Sequence, residues 1–411
     1  MTTEAEVAVA PPLSRNRNYH MLWGSQLVSE LVSQLCLIAF PLMVMATTGS
    51  APWMGAVAAV IGAAGMVANV PAGVLVDRFD RKWVMLVCQC VRAVAMASLA
   101  IALLADHFSL SHVFVVAVVE GLLGAAFDPA EHAALPQVVH ESQLSTAVAR
   151  NTTRRYIATL LGPASAGFLF AFDPMAPFAV ALVLLVASCA VLSFLRLPRP
   201  EPEVRPEGQS ERTGMLVEGF RWVLGHRVIR PTLVWLMCCE LFISALITIV
   251  LALSGEDGMA PGTLGMMMTG FGIGGLLGAA VAGRLHAVLP APAIIMGFPW
   301  CAAALTLVMA LVPTGVSTGV VLGGIAFLIP TAFTTVMTYQ LAVAPAALRG
   351  RLSGIVGLFA GGAGAIGSLV GGLLMADGDS RGTLLIWSAC LVVVAVGTII
   401  SPALRRFPTL K

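Results

Sequence analysis

The stretch Gly73-Val-Leu-Val-Asp77-Arg78-Phe-Asp80-Arg81-Lys82 lies between two long apolar runs, roughly 54–76 and 83–105. Each run is long enough to span a bilayer. Charge packed this densely between them must sit in water, at a tight turn. A turn needs only Gly, Asn or Ser. An acid followed by three bases is more than a connector requires, so these residues point to a task beyond joining two segments.

The rest of the chain has the same character. Of 411 residues, 58% are hydrophobic and 11% charged, and mean hydropathy is +0.92. Soluble domains run at about 45–50% apolar and about 25% charged. No water-soluble fold buries so much apolar surface, so the bilayer is the solvent. The net charge of +2 gives no reason to expect a nucleic acid partner. All eight cysteines fall in apolar runs and no CxxC occurs. They read as small membrane hydrophobes, and neither a metal site nor a disulfide is expected.

Runs of about 20 apolar residues occur near 21–46, 54–76, 83–105, 111–135, 146–170 and 177–196. They resume near 231–253, 263–283, 291–312, 316–342, 352–375 and 383–403. The first run exceeds the about 7–15 residues of a signal-peptide core and reads as a retained helix. The expected fold is therefore an all-α membrane protein of twelve transmembrane helices in two six-helix bundles, 21–196 and 231–403. A segment 1–20 precedes them and a tail 404–411 follows. Between them, 197–230 opens on a proline-rich charged stretch that is extended. It then places Leu216, Val217, Phe220, Val223 and Leu224 at helical spacing, as in an amphipathic helix lying on the membrane surface.

Arg and Lys set orientation. One set of connections carries Arg15/Arg17, Arg78/Arg81/Lys82, Arg150/Arg154/Arg155, the linker arginines, Arg284, Arg349/Arg351 and Arg405/Arg406/Lys411. The alternate set carries only Arg381, with Asp106, Asp173, Glu256, Asp257, Asp377 and Asp379. Both termini and the linker are expected in the cytoplasm, in a multi-pass protein of the inner (plasma) membrane. The halves also echo one another: Ser29-Glu30-Leu31 and Cys239-Glu240-Leu241 lie 210 residues apart, close to half the chain.

Three carboxylates stand inside runs: Glu30, Glu120 and Glu240. Glu30 is about ten residues into its run, or roughly 15 Å deep. A charge there costs about 2.5–3.5 kcal/mol on the lenient insertion scale, so each acid must face a cavity or a partner. Burial disfavours the anion, and such a carboxyl suits taking a proton from one face and releasing it to the other. Gln26, Glu30, Ser33 and Gln34 share one helix face, as do Glu240, Ser244 and Thr248. Thr331, Thr334, Thr335 and Thr338 form a hydroxyl stripe. Arg92, inside the third run, needs a counter-charge. Glu30 and Glu120 both qualify, and the pair is read as structural.

The spacing G-x-x-x-D-R-x-x-R-K resembles the loop signature between helices 2 and 3 of the major facilitator superfamily. Asp80 stands where that family usually has Gly, and Asp tolerates a left-handed turn. The resemblance implies a latch of Gly73, Asp77, Arg78, Arg81, Lys82 and Asp128 on the cytoplasmic side, with Asp77 facing the start of the eleventh helix. It implies a cavity lined by helices 1, 4, 7 and 10, which carry the polar stripes above. Gly162-Pro163 and Gly167 resemble the superfamily's antiporter signature, with Ala166 replacing a closing Gly. The arginine that drug antiporters often carry in helix 4 is missing, since Ala117 holds its place. The openings Arg15–Gln26 and Arg349–Gly354 look like the branch of enterobactin exporters and macrolide efflux proteins.

The expectation is a secondary active transporter, not an enzyme. It would export a small amphipathic compound (an antibiotic, siderophore or other secondary metabolite) by alternating access, as a monomer in the lipid bilayer. It would need no cofactor and would draw on the proton gradient. Gradient-independent facilitation or nutrient uptake is the alternative. A membrane enzyme acting on a lipid-linked substrate is remote, because the chain has no HExxH, metal-ligand cluster or paired nucleophile and base.

Overall fold

The computed structural model describes residues 13–197, 221–256, 261–345, 348–376 and 379–407. Among them are twelve long helices. In the first half these are α1 (Arg17–Thr48), α2 (Ala51–Arg78), α3 (Arg81–Leu104), α4 (Leu110–Val138), α5 (Glu141–Phe172) and α6 (Ala176–Ser193). The second half has α7 (Ile229–Glu256), α8 (Pro261–Val288), α9 (Ala291–Leu311), α10 (Val316–Val343), α11 (Arg349–Leu374) and α12 (Ser380–Ile400). Eleven are long and apolar enough to cross a membrane. The other is α5, whose apolar part is only Ile157–Phe172, because its first half carries Arg150, Arg154 and Arg155. Those arginines were expected among the loop bases. They lie on a helix instead, and two of them turn inward.

Local chemistry sets the ends. Asn16 caps α1 by accepting from the Tyr19 amide at 3.0 Å, and Gly49 closes it in the left-handed conformation at φ 63°. The turn at 79–80 corrects the expectation for Asp80. Its φ is −59°, not left-handed. It is the N-cap of α3, and its carboxylate accepts from the Lys82 and Trp83 amides at 2.8 and 3.3 Å. An N-cap needs non-helical backbone and a side-chain acceptor, and Asp supplies both. Pro41, Pro71 and Pro163 lie within helices, as packed membrane helices allow. Val94, Ile101, Leu104 and Val183 are exposed, the pattern expected where lipid is the solvent.

Packing exposes the internal repeat. In the first half α2 packs on α4, α1 on α5 and α6, and α3 on α4 and α6. In the second, α8 packs on α10, α7 on α11 and α12, and α9 on α10 and α12. Each pair maps onto its counterpart six helices later. The halves meet through α2 on α11 and α5 on α8, two contacts that the same operation exchanges.

The core is not uniform along the helices. At the end remote from Leu13 and Phe407, both halves share one apolar cluster, which joins Phe40, Met54 and Phe178 to Leu246, Met267 and Trp387. At the terminal end each half has its own core. One holds Tyr19, Met85 and Phe127. The other holds Trp235, Phe298 and Tyr339. Most of the expected surface helix lies outside the described residues. Its described end, residues 221–225, is helical, and Val223 is buried in the second-half core.

Candidate functional site

Among the described residues, the buried ion pairs sit in the first half, in two adjoining clusters. The first surrounds Arg92, which is fully buried on α3. Its Nε donates to Glu120 Oε2 at 2.9 Å, and its Nη2 bonds the other carboxylate oxygen. Nη1 donates to Ser29 Oγ at 2.7 Å and to Gln89 Oε1 at 3.1 Å, and Nη2 to Ser33 Oγ at 3.0 Å. Gln89 in turn donates to Ser188 Oγ at 3.0 Å. A bidentate pair with its remaining donors satisfied is how a buried charge is tolerated. Of the two candidates, Glu120 is thus the partner of Arg92. Their charges cancel, and Ser33 also donates to Glu120 Oε1 at 3.3 Å.

The second cluster lies one to two turns toward the terminal end. Glu30 Oε1 is 3.2 Å from Arg155 Nε, and Glu30 Oε2 is 3.6 Å from Arg154 Nε. Arg155 Nη2 reaches Asp128 Oδ2 at 3.3 Å, and Gln26 donates to Asp128 Oδ1. Arg154 Nη1 reaches Glu131 Oε1 at 3.5 Å and Asn151 Oδ1 at 3.3 Å. Arg154 and Glu131 are sealed from solvent, each with a side chain 1% exposed. Glu30, 14% exposed, lines a cavity of ≈ 410 Å³ with Gln26, Ser33, Gln34, Glu120, Asp128 and Arg155. Asn69 and Thr159 complete its wall from α2 and α5.

The other expected residues fall elsewhere. Glu240 is half-buried on α7 and, among the described residues, has neither hydrogen bond nor ion pair. Ser244 faces α11: a Cβ on Gly364 would lie 3.2 Å from its hydroxyl. Thr334 donates to Pro330 O and lines a different cavity, ≈ 590 Å³, with His286 and Tyr339 at the terminal end. Gly162 and Pro163 are buried in α5. A side chain on Gly162 would overlap Gln34 and lie 3.1 Å from Leu35 N, so this glycine sets the close approach of α5 to α1. Gly167 meets α8, where a Cβ on Gly265 would stand 3.1 Å from its carbonyl carbon.

Gly73 and Asp77 lie in the last turns of α2, and the Asp77 side chain is outside the described set. Arg78 is exposed. Arg81 lies beside the Gln137 side-chain amide, and Lys82 donates to Ser193 O at 2.7 Å. Asp128 is held by Gln26 and Arg155, and no ion pair joins it to Arg78, Arg81 or Lys82 among the described residues. Sequence reasoning missed Glu131 and the inward turn of Arg154 and Arg155. The signal was present: Glu131 stands inside the fourth apolar run and both arginines inside the fifth.

Residues 7–409 match the family of transmembrane secretion effectors of the major facilitator superfamily. Among curated proteins, the chain is 27% identical over 394 residues to the multidrug efflux pump Tap of Mycolicibacterium fortuitum, covering 90% of this chain and 92% of that protein. It is 27% identical over 183 residues to macrolide efflux protein A of Streptococcus pyogenes, 44% and 45% of the two chains. Against the enterobactin exporter EntS of Escherichia coli it is 24% identical over 273 residues, 66% and 65% of the two chains. Among solved structures, the nucleoside transporter NupG superposes with a TM-score of 0.75 at 14% identity, over 96% of this chain and 100% of that one. The fold, the paired halves and the match over nearly the whole length lead to one conclusion: the chain belongs to the transmembrane secretion effectors, a family of multi-pass major facilitator transporters, and is not an enzyme.

Proposed function

We propose that this protein is a proton-driven exporter of a small amphipathic compound, such as an antibiotic, siderophore or other secondary metabolite. It works by alternating access, as a monomer in the plasma membrane with both termini in the cytoplasm. The observation that carries the reading is Glu30. An acid near mid-membrane lines a cavity and is held by two arginines rather than sealed in a saturated pair. The curated relatives are named as efflux proteins for drugs, macrolides and enterobactin, which supports export over uptake. Glu240, its counterpart in the second half, is the second coupling residue. Glu120 belongs to the cavity wall but acts by fixing Arg92.

Separate terminal-end cores and a joined far-end core suit a state open toward the cytoplasm. In that state Asp128 is occupied by Gln26 and Arg155. Closing the cytoplasmic side would release it to the bases of the 77–82 loop, as a latch that biases the equilibrium between the two open states. Gly73 and Asp77 would place that loop against the start of α11.

The test is transport of a macrolide probe in proteoliposomes with and without a pH gradient. Wild-type transport should follow the gradient and collapse with a protonophore. Glu30→Gln and Glu240→Gln should each cut gradient-driven transport about a hundredfold or more, the scale of a lost proton-transfer group. Transport that ignores the protonophore would favour facilitation instead, and unaltered transport in both variants would remove the coupling role.

A further inference from the structure

The two polar clusters differ in charge balance. Around Arg92 one guanidinium meets one carboxylate. Around Arg154 and Arg155, two guanidiniums meet three carboxylates: Glu30, Asp128 and Glu131. Asp128 and Arg155 are 42% and 55% exposed and offset one another, so in the buried part Arg154 alone meets Glu30 and Glu131: with both acids ionised it holds one net negative charge, and one bound proton neutralises it. An uncompensated charge at this depth is the expensive state.

The hydrogen bonding shows where that proton fits. Glu131 Oε2 and Glu30 Oε2 are buried without a hydrogen-bond partner, and so is Arg154 Nε, which lies between the two acids. Arg154 is 3.6 Å from Glu30 and 3.5 Å from Glu131, shared almost equally and saturated by neither. Glu131 does not line the cavity. Its free oxygen has one titratable neighbour that reaches water: His132 Nδ1, 3.7 Å away on a side chain 54% exposed. His132 stands one turn beyond Asp128 on α4, toward the terminal end, and does not line the cavity. The other titratable and charged groups around Glu131 are Arg154 on α5, Asp128 on α4, and Glu30 and Tyr19 on α1, with Arg150 near Tyr19.

We propose that Glu131 and Glu30 share one exchangeable proton across Arg154, and that His132 is the port through which this proton exchanges with water at the terminal end. In the loading step the Nδ1–H bond of the His132 imidazolium breaks and an O–H bond forms on Glu131 Oε2. The imidazole is left neutral and total charge is conserved. Glu131, now neutral, releases Arg154, which closes on the Glu30 carboxylate. When the Glu131 O–H bond breaks and its proton returns to His132 Nδ1, a proton taken up by Glu30 from water in the cavity reverses the swing and returns Arg154 to Glu131. Proton and cavity therefore communicate through one side chain, and the proton has an entry separate from the substrate cavity. The inference rests on the proton-coupled reading of Glu30 but is tested without substrate.

The experiment uses the purified full chain in lipid nanodiscs. Infrared difference spectra between about pH 5 and about pH 8, the range in which histidine changes charge, report the carbonyl stretch of a protonated buried carboxyl. In a Glu240→Gln background, so that the second coupling carboxyl contributes nothing, the chain should show such a band, adding Glu131→Gln should abolish it, and adding Glu131→Asp should keep it at a shifted position. A merely structural Glu131–Arg154 pair would titrate nothing in this range. His132→Ala removes only an exposed ring, so it should fold. It should retain the band's amplitude but slow its appearance after a pH jump about a hundredfold, the low end for a lost proton-transfer group. A band that survives Glu131→Gln overturns the proposal, and so does an unchanged rate in His132→Ala. The His132→Ala arm decides even where Glu131→Gln does not fold. Should the band behave as expected while wild-type macrolide transport ignores the proton gradient, the exchange site stands and the coupled-export reading falls.

Discussion

At the scale of single residues, the chain contains two kinds of buried charge, separated by how completely each is satisfied. Arg92 and Glu120 form a closed unit whose donors and acceptors are used by Ser29, Ser33 and Gln89. Removing one partner strands the other. We expect Arg92→Met to destabilise the fold by about 3–5 kcal/mol, read as a lowered unfolding temperature in detergent. The paired change Arg92→Met with Glu120→Leu should recover most of that loss, since it leaves no unmatched charge. Equal loss in the single and double variants would show that packing, not charge, is the cause. Glu30, Arg154 and Glu131 form an open unit, with orphaned atoms on all three. An isolated Glu in an apolar run announces a cost, and that much was legible from residue types. Which acid is satisfied and which is free depends on side chains from three or four helices, so the sequence left both partners open for Arg92.

At the scale of elements, small residues control how closely helices approach. A Cβ on Gly372 of α11 would stand 2.9 Å from the Gly55 Cα of α2, and neither backbone can yield cheaply. This contact joins the two halves at the far end. Gly372→Val should therefore disfavour the present state and shift the population toward opening at that end. Distances between spin labels on the far ends of α2 and α11 should lengthen, and an unchanged distribution would count against a hinge there. The loop at 77–82 shows a second lesson. Its charges were correctly read as a turn, but Asp80 acts as a cap rather than as a left-handed residue. Asp80→Ala should cost about 1 kcal/mol, while Asp80→Asn should cost little, as thermal unfolding would report. The family spacing marked the position, and only the backbone angles showed which property of Asp is used.

At the scale of the whole molecule, two repeats pack by one scheme and join at one end. On the proposed reading, the joined core at the far end and the split cores at the terminal end make the Glu30 cavity accessible from the terminal side. In a background with all eight cysteines replaced, Asn69→Cys should react quickly with a membrane-impermeant thiol reagent supplied on the terminal side, and slowly from the other. Equal reaction from both sides would rule out a closed far end.

Hydropathy determined, without any coordinates, that the chain is an all-helical membrane protein in two halves, because the bilayer imposes length and composition on each segment independently of its neighbours. The short loop motif carried the family. Tertiary structure alone decided that Glu120 is neutralised by Arg92, that Arg154 turns inward between Glu30 and Glu131, and that the polar stripes of α7 and α10 do not join the first-half cavity. Those outcomes depend on the rotation of each helix about its axis and on the few ångströms between side chains from different helices, and neither quantity is written in the order of residues along any one of them.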